Sequence, residues 1–222
     1  MPSKSQIEYI KMNKNKITEP ILIIGSKEYD FDQRNFLKEL KIIGFSDIIG
    51  IDIKKGKGVD IVTDICDSNS SFVKNYNKYF KTIICMQMLY SVGNPFNAAK
   101  SIQSLMIKNG VLIFSDIFTH RVNRIPKDYW RFTYDAHKLI FSDLSFVDSK
   151  SRIGITRLNK LVDFRYPIPE INKYHKGDEE SYISYIFRKL YVKCFKTSLL
   201  SLNRLMPETS IFSIAIKTDE KT

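Results

Sequence analysis

Short, unbroken apolar runs alternate with longer segments of helical spacing over the first half of the chain. Residues 21–24, 48–53, 59–62, 81–86 and 111–114 are the apolar runs, rich in Ile and Val and mostly lacking the polar alternation of a half-exposed strand. Runs of this kind predict strands covered on both faces, as in a parallel sheet. Between them, residues 31–43 set Phe31, Phe36, Leu37, Leu40 and Ile43 near helical spacing, with Gly44 as the stop. Residues 69–79 predict a helix or loop-helix, and a further helix from about Pro95 to Ile107 ends at Asn109-Gly110. Strands alternating with helices in this way predict parallel βαβ units.

After residue 120 the pattern changes. Residues 126–143 begin irregularly and turn helical near Tyr134; residues 145–153 predict a sixth strand, and residues 209–217 a last one. Between these lie a proline-punctuated loop (Tyr166-Pro167-Ile168-Pro169) and a long helix over about 179–205. The expected fold class is α/β: a Rossmann-like, seven-stranded, mostly parallel sheet with helices on both faces, plus a helical insertion before the last strand. Residues 1–19 are expected to form a flexible basic leader. Residues 20–222 are expected to form a single domain with the insertion at about 155–208.

Composition narrows the function classes. A chain of 222 residues suits one domain and buries a core without staples. Its net charge of +11 invites a nucleic-acid or membrane-surface reading. The basic excess is mostly lysine in a chain also rich in Ile and Asn, which points instead to a compositional origin. Cys66, Cys85 and Cys194 are far apart, without the spacing of a disulfide framework or a zinc site. Neither a signal-peptide core nor a stretch near the ~20 apolar residues of a spanning helix is visible. A cytoplasmic location is the expectation.

In open α/β sheets ligands bind beyond the carboxyl ends of the strands, so the residues after each run carry the candidate chemistry. Those are Gly25-Ser26, Asp52, Asp64, Gln87 and Asp116. An acid closing the second strand accepts both hydroxyls of a ribose, and an acid after the third accepts from an adenine amine. The first loop has one glycine and no GxGxxG, and a GxxxxGK[ST] loop is absent. An adenosine ligand without phosphates suits it better than a dinucleotide.

Three stretches carry a family resemblance: Ile49-Gly50-Ile51-Asp52 with Gly56-Lys57-Gly58-Val59-Asp60-Ile61-Val62-Thr63-Asp64; Lys108-Asn109-Gly110-Val111-Leu112; and Pro126-Lys127-Asp128-Tyr129-Trp130-Arg131-Phe132-Thr133. Together they resemble the class I S-adenosylmethionine-dependent methyltransferases, nearest to a bacterial methyltransferase-type-11-like group with a P-x-D-Y-W-R-F-T segment. The resemblance covers about residues 20–153. It implies S-adenosylmethionine as cofactor, with Gly25 and Ser26 under its methionine part, Asp52 on the ribose, Asp64 and Ile65 at the adenine, and Gln87 at the methyl-transfer centre. The first motif departs from the family's h-L-D/E-h-G-x-G-x-G: Ile23 replaces the acid, and Lys27 and Tyr29 fall where glycines are usual. After strand four, Leu89-Tyr90-Ser91-Val92 replaces L-E-H-V.

The sulfonium arrives already activated, so methyl transfer asks mainly for positioning; a base is needed only for a hydroxyl acceptor. His120, Asp128 and Tyr129 are the candidates for that catalytic role, while Asp116, Arg121, Arg124 and Arg131 are candidates for holding the acceptor. His137 and His175 read as structural or exposed. The expected function is methyl transfer to a small-molecule acceptor, with an anionic compound and a sugar or surface-polysaccharide precursor as the candidates. The alternative is a catalytically inactive methyltransferase-like binding or scaffold protein. No Asn/Asp-Pro-Pro-aromatic motif follows strand four, which speaks against a nucleic-acid substrate. The late helix at 179–205 would pack on its own domain, pair with a second copy in a homodimer, or make a peripheral membrane contact.

Overall fold

Nine strands share one sheet in the computed structural model, which describes residues 3–29, 36–120, 122, 127–155, 160–164, 181–195 and 209–218. The first five are β1 (Ile21–Ile24), β2 (Ile48–Asp52), β3 (Ile61–Val62), β4 (Phe80–Met86) and β5 (Met106–Thr119). They run parallel in the order β3-β2-β1-β4-β5. Strand order reverses beside β1, where β2 lies on one side and β4 on the other. A crevice opens at such a switch point. The last strand, β9 (Thr209–Ile216), pairs antiparallel with β5.

Two strands exceed the expected seven. The stretch expected as one sixth strand is split into β6 (Ser145–Phe146) and β7 (Arg152–Ile155) by a tight turn at Asp148–Lys150. Then β8 (Lys160–Asp163) folds back on β7 within the segment expected to be helical. Arg152 and Asp163, paired in register across that hairpin, form an ion pair of 2.9 Å. Val162, β-branched, favours the strand, and β8 lies at the edge of the sheet beyond β7.

Helices cover both faces, and β1 shows how. Leu22 and Ile24 face a core shared with α3 (Ser71–Asn75), α4 (Pro95–Leu105) and α5 (Tyr134–Ile140). Ile21 and Ile23 face a second core with α1 (Lys4–Met12) and α2 (Phe36–Ile43). Helix α1 corrects the expectation of a flexible leader. Ser3 and Gln6 close a reciprocal capping box at its start. Ile7, Tyr9 and Ile10 are buried, and Tyr9 packs 5.0 Å from the Phe212 ring while its hydroxyl donates to the Lys150 carbonyl at 2.9 Å. The expected long helix is described as α6 (Tyr182–Phe195), preceded by Ser181; residues 179–180 and 196–205 lie outside the described residues.

Candidate functional site

The carboxyl ends of β1, β2 and β4 open on a cleft of about 590 Å³, within the ~300–1,000 Å³ of small-molecule sites. Gly25 forms its floor in the left-handed region, at φ +74°. A Cβ there would meet Met88 Cγ at 3.2 Å. The Gly25 and Ser26 amides both donate to the Ile51 carbonyl, at 2.9 and 3.0 Å, which turns the loop across the end of β2. Ser26 Oγ is buried with no hydrogen-bond partner among the described residues.

Asp52, the last residue of β2, is fixed from two sides. Its Oδ2 accepts from the Lys27 amide at 3.2 Å and its Oδ1 from the Lys54 amide at 3.0 Å. Each carboxylate oxygen has a second lone pair, so the group keeps room for two further donors. The bulky residues of the first loop are accommodated by glycines on the second. The Lys27 stem lies where a Cβ on Gly56 would stand, 2.9 Å from Lys27 Cε, and its ammonium is 5.3 Å from the Tyr29 ring centre. Glu28 pairs with Lys57 at 3.0 Å, and the Glu28 amide donates to the Lys57 carbonyl at 2.9 Å.

After β3, Asp64 is exposed, and its Oδ1 accepts from the Cys66 amide at 2.8 Å; Ile65 beside it is buried. After β4, Gln87 takes a left-handed φ of 50°. Its amide donates to the Ser115 carbonyl at 2.7 Å, and its Nε2 to Ser210 Oγ at 2.8 Å. Tyr90 and Met88 continue that wall, and Lys127 and Tyr129 close it from the next segment.

The cleft thus brings together Gly25, Ser26, Asp52, Asp64, Ile65, Gln87 and Tyr129 from the positions expected. Asp116, expected on the acceptor, is instead fully buried. Its two oxygens accept the Leu89 and Tyr90 amides at 3.1 and 3.2 Å, closing the start of the tight turn Leu89–Ser91. Burial pushes this carboxyl up to about 8, against the lowering effect of the Tyr90, Ile117 and Leu89 amides and of Arg131. Asp128, expected as a base, has its carboxylate engaged by Arg131, whose second nitrogen donates to Asp128 Oδ2 at 2.9 Å. Arg131 also donates to the Trp130 and His120 carbonyls, at 2.8 and 3.3 Å. Asp116 and Asp128, with buried side chains, therefore stand behind the cleft wall, and neither His120 nor Arg131 is among the described residues that line it. Arg121 and Arg124 lie outside the described residues.

Several lining residues were not among the site candidates read from the sequence: Gln6, Lys27, Tyr29, Met88, Tyr90 and Lys127. Met88 and Tyr90 follow a strand end and were findable by that rule. Gln6 gave no signal beyond its capping box. No cluster of His, Cys, Asp and Glu fit to hold a metal occurs among the described residues.

A family model described as a methyltransferase domain matches residues 32–151. No curated protein matches the chain in sequence. Among solved structures, a SAM-dependent methyltransferase from Archaeoglobus fulgidus is similar at a TM-score of 0.56 and 15% identity, over 95% of this chain and 92% of that one. A 1,6-didemethyltoxoflavin-N1-methyltransferase from Burkholderia thailandensis, with bound 1,6-didemethyltoxoflavin and S-adenosylhomocysteine, is similar at 0.56 and 8%, over 98% and 80%. The [4+2]-cyclase SpnF is similar at 0.54 and 10%, over 96% and 81%. At these identities the likeness is one of fold, a fold that carries more than one kind of chemistry.

Proposed function

The chain belongs to the methyltransferase-domain family, the class I S-adenosylmethionine-dependent enzymes, and we propose that it methylates a small, anionic acceptor such as a sugar or surface-polysaccharide precursor. The observation that carries the reading is the fixed carboxylate of Asp52 beside the bare backbone of Gly25 at the sheet's switch point.

The cleft's residues fit this cofactor by their chemistry. Asp52 offers two acceptors to the ribose hydroxyls, and its backbone anchors hold it in place before the ligand arrives. Ile65 supplies an apolar wall for the adenine, and Asp64 keeps one oxygen for the exocyclic amine. Gly25 and Ser26 lie under the methionine part, where the bare backbone of Gly25 leaves room for it. Gln87, its side chain tied to Ser210, shapes the floor of the transfer centre. When bound, the cofactor supplies a methyl group on a sulfonium, already activated for displacement.

On the acceptor side Tyr129 and Lys127 stand at the mouth, with Tyr90 inside. Lys127 attracts an anionic group, and Tyr129 lies against the acceptor, its hydroxyl serving to orient it by a hydrogen bond. Arg131 and Asp128 act as positioning residues, holding the segment that presents both.

Calorimetry with S-adenosylhomocysteine, followed by transfer of a labelled methyl group to a panel of sugar nucleotides and polysaccharide precursors, tests this. Asp52→Ala is expected to weaken binding by tenfold or more, the loss of about two charge-assisted hydrogen bonds. Absent binding, or binding indifferent to Asp52→Ala, would leave an inactive scaffold. Label appearing in nucleic acid rather than in the panel would overturn the acceptor class.

A further inference from the structure

Helix α6 turns five large apolar side chains outward. Tyr182, Ile183, Ile186, Phe187 and Leu190 are each between 41% and 69% exposed. At the helical step of about 100° per residue they occupy a single arc of about 140°. The same fourteen residues hold Arg188, Lys189 and Lys193 and no Asp or Glu. Position 189 falls just outside one edge of the arc and position 193 just inside it, and the Lys189 ammonium lies 5.7 Å from the Tyr185 ring centre. An apolar stripe edged by cations, on a chain of net charge +11, is the pattern of a helix that lies in a membrane interface.

We propose that this face of α6 docks on an anionic lipid surface. The helix spans about 21 Å, short of a ~30 Å hydrocarbon core, and no described helix is long and apolar enough to cross a membrane. It therefore lies in the plane of the headgroups. Tyr182, Ile183, Ile186, Phe187 and Leu190 enter the boundary with the acyl chains, and the lysine stems carry their charges back to the phosphates. A two-fold pairing of the same face in a second copy would bring these cations together with no acid on the helix to offset them. A nucleic acid would use the charge and leave the apolar stripe in water. The docking is separate from the cofactor reading, because no described side chain of α6 lines the cleft.

The experiment is sedimentation of the full chain, without cofactor, with phosphatidylcholine vesicles containing about one-third phosphatidylglycerol, and with phosphatidylcholine alone. Retention is expected on the anionic vesicles only, and weaker at high salt. Phe187→Glu with Leu190→Glu is expected to reduce partitioning by about tenfold or more, and Lys189→Glu to a smaller extent. Both variants should keep the parent's melting temperature and S-adenosylhomocysteine affinity, which separates lost docking from a lost fold or cofactor site. Absent retention on anionic vesicles, or equal retention by the variants, overturns the proposal. A concentration-dependent dimer abolished by Phe187→Glu also overturns it, by assigning the face to a second copy.

Discussion

At Gly50 one methyl group is enough to break the site's frame. A Cβ on this β2 residue would lie 2.4 Å from the Gly58 carbonyl oxygen and 2.8 Å from Ser26 Oγ, and backbone cannot swing aside as a side chain does. Gly50 also donates to Asp60 Oδ2 at 2.7 Å, so the loop that would have to move is tied back to it. Gly50→Ala is expected to cost ~1–3 kcal/mol by overpacking. It should also weaken S-adenosylhomocysteine, since Asp52 is two residues on. Gly93 provides the contrast: it is exposed, has open space where its Cβ would stand, and is outside the left-handed region. Gly93→Ala is expected to be neutral or to stabilise by less than ~1 kcal/mol through the unfolded chain. Urea midpoints for the two variants check this, and equal shifts would refute it.

The segment 127–133 has no helix or strand of its own before α5, yet it is held as firmly as one. The Tyr129 and Trp130 amides both donate to the Tyr90 carbonyl, at 2.9 and 3.1 Å. The Trp130 indole donates to the Val92 carbonyl at 2.8 Å, and the Phe132 amide to Ile117 at 3.1 Å. Arg131 crosses behind it to Asp128, whose side chain is only 3% exposed. Arg131→Met would remove both guanidinium contacts to that buried carboxylate, at an expected cost of ~1–3 kcal/mol. Asp128→Asn in the same chain should recover part of the loss, and a fully additive double mutant would show the pair to be uncoupled. The motif that carries this element was legible in the sequence, because its aromatics and opposite charges are distinctive. Its division of labour was not: which of Asp128, Tyr129 and Arg131 faces the cleft depends on the turn at Leu89–Ser91 packed against it. Likewise the strand ends gave Gly25, Asp52 and Asp64 from pattern alone, because each stands at or just after the end of a short apolar run. Asp116 follows such a run too, and only the chain folded above it makes it structural. Helix α1 was hidden by its lysines, since only three of its apolar positions mark the buried face.

Two buried groups pull the stability of the whole molecule in opposite directions with pH. His137 lies wholly inside the core, 4.7 Å from the Phe114 ring centre and 5.8 Å from Phe132, and both its nitrogens lack a hydrogen-bond partner among the described residues. Burial holds it down to about 3, from the usual 6.5. The unfolded chain therefore binds the extra proton, and the His137 contribution is complete above pH 6.5 and falls as pH drops from there toward 3. Asp116 is raised from 3.8 to about 8. Here the folded chain binds the extra proton, so its contribution is complete below about pH 3.8 and falls as pH rises toward 8. Each slope is ~1.4 kcal/mol per pH unit. Between pH 4 and 6.5 they cancel, and above 6.5 only Asp116 still acts, removing ~2 kcal/mol by pH 8. Asp116→Asn should abolish that alkaline decline and uncover an acid one below pH 6.5. His137→Phe, which suits the aromatic cluster around it, should instead give a continuous decline from pH 4 to 8. Denaturant unfolding at pH 4.5, 6.5 and 8 distinguishes the three profiles, and an alkaline decline that survives Asp116→Asn would place its origin in another group.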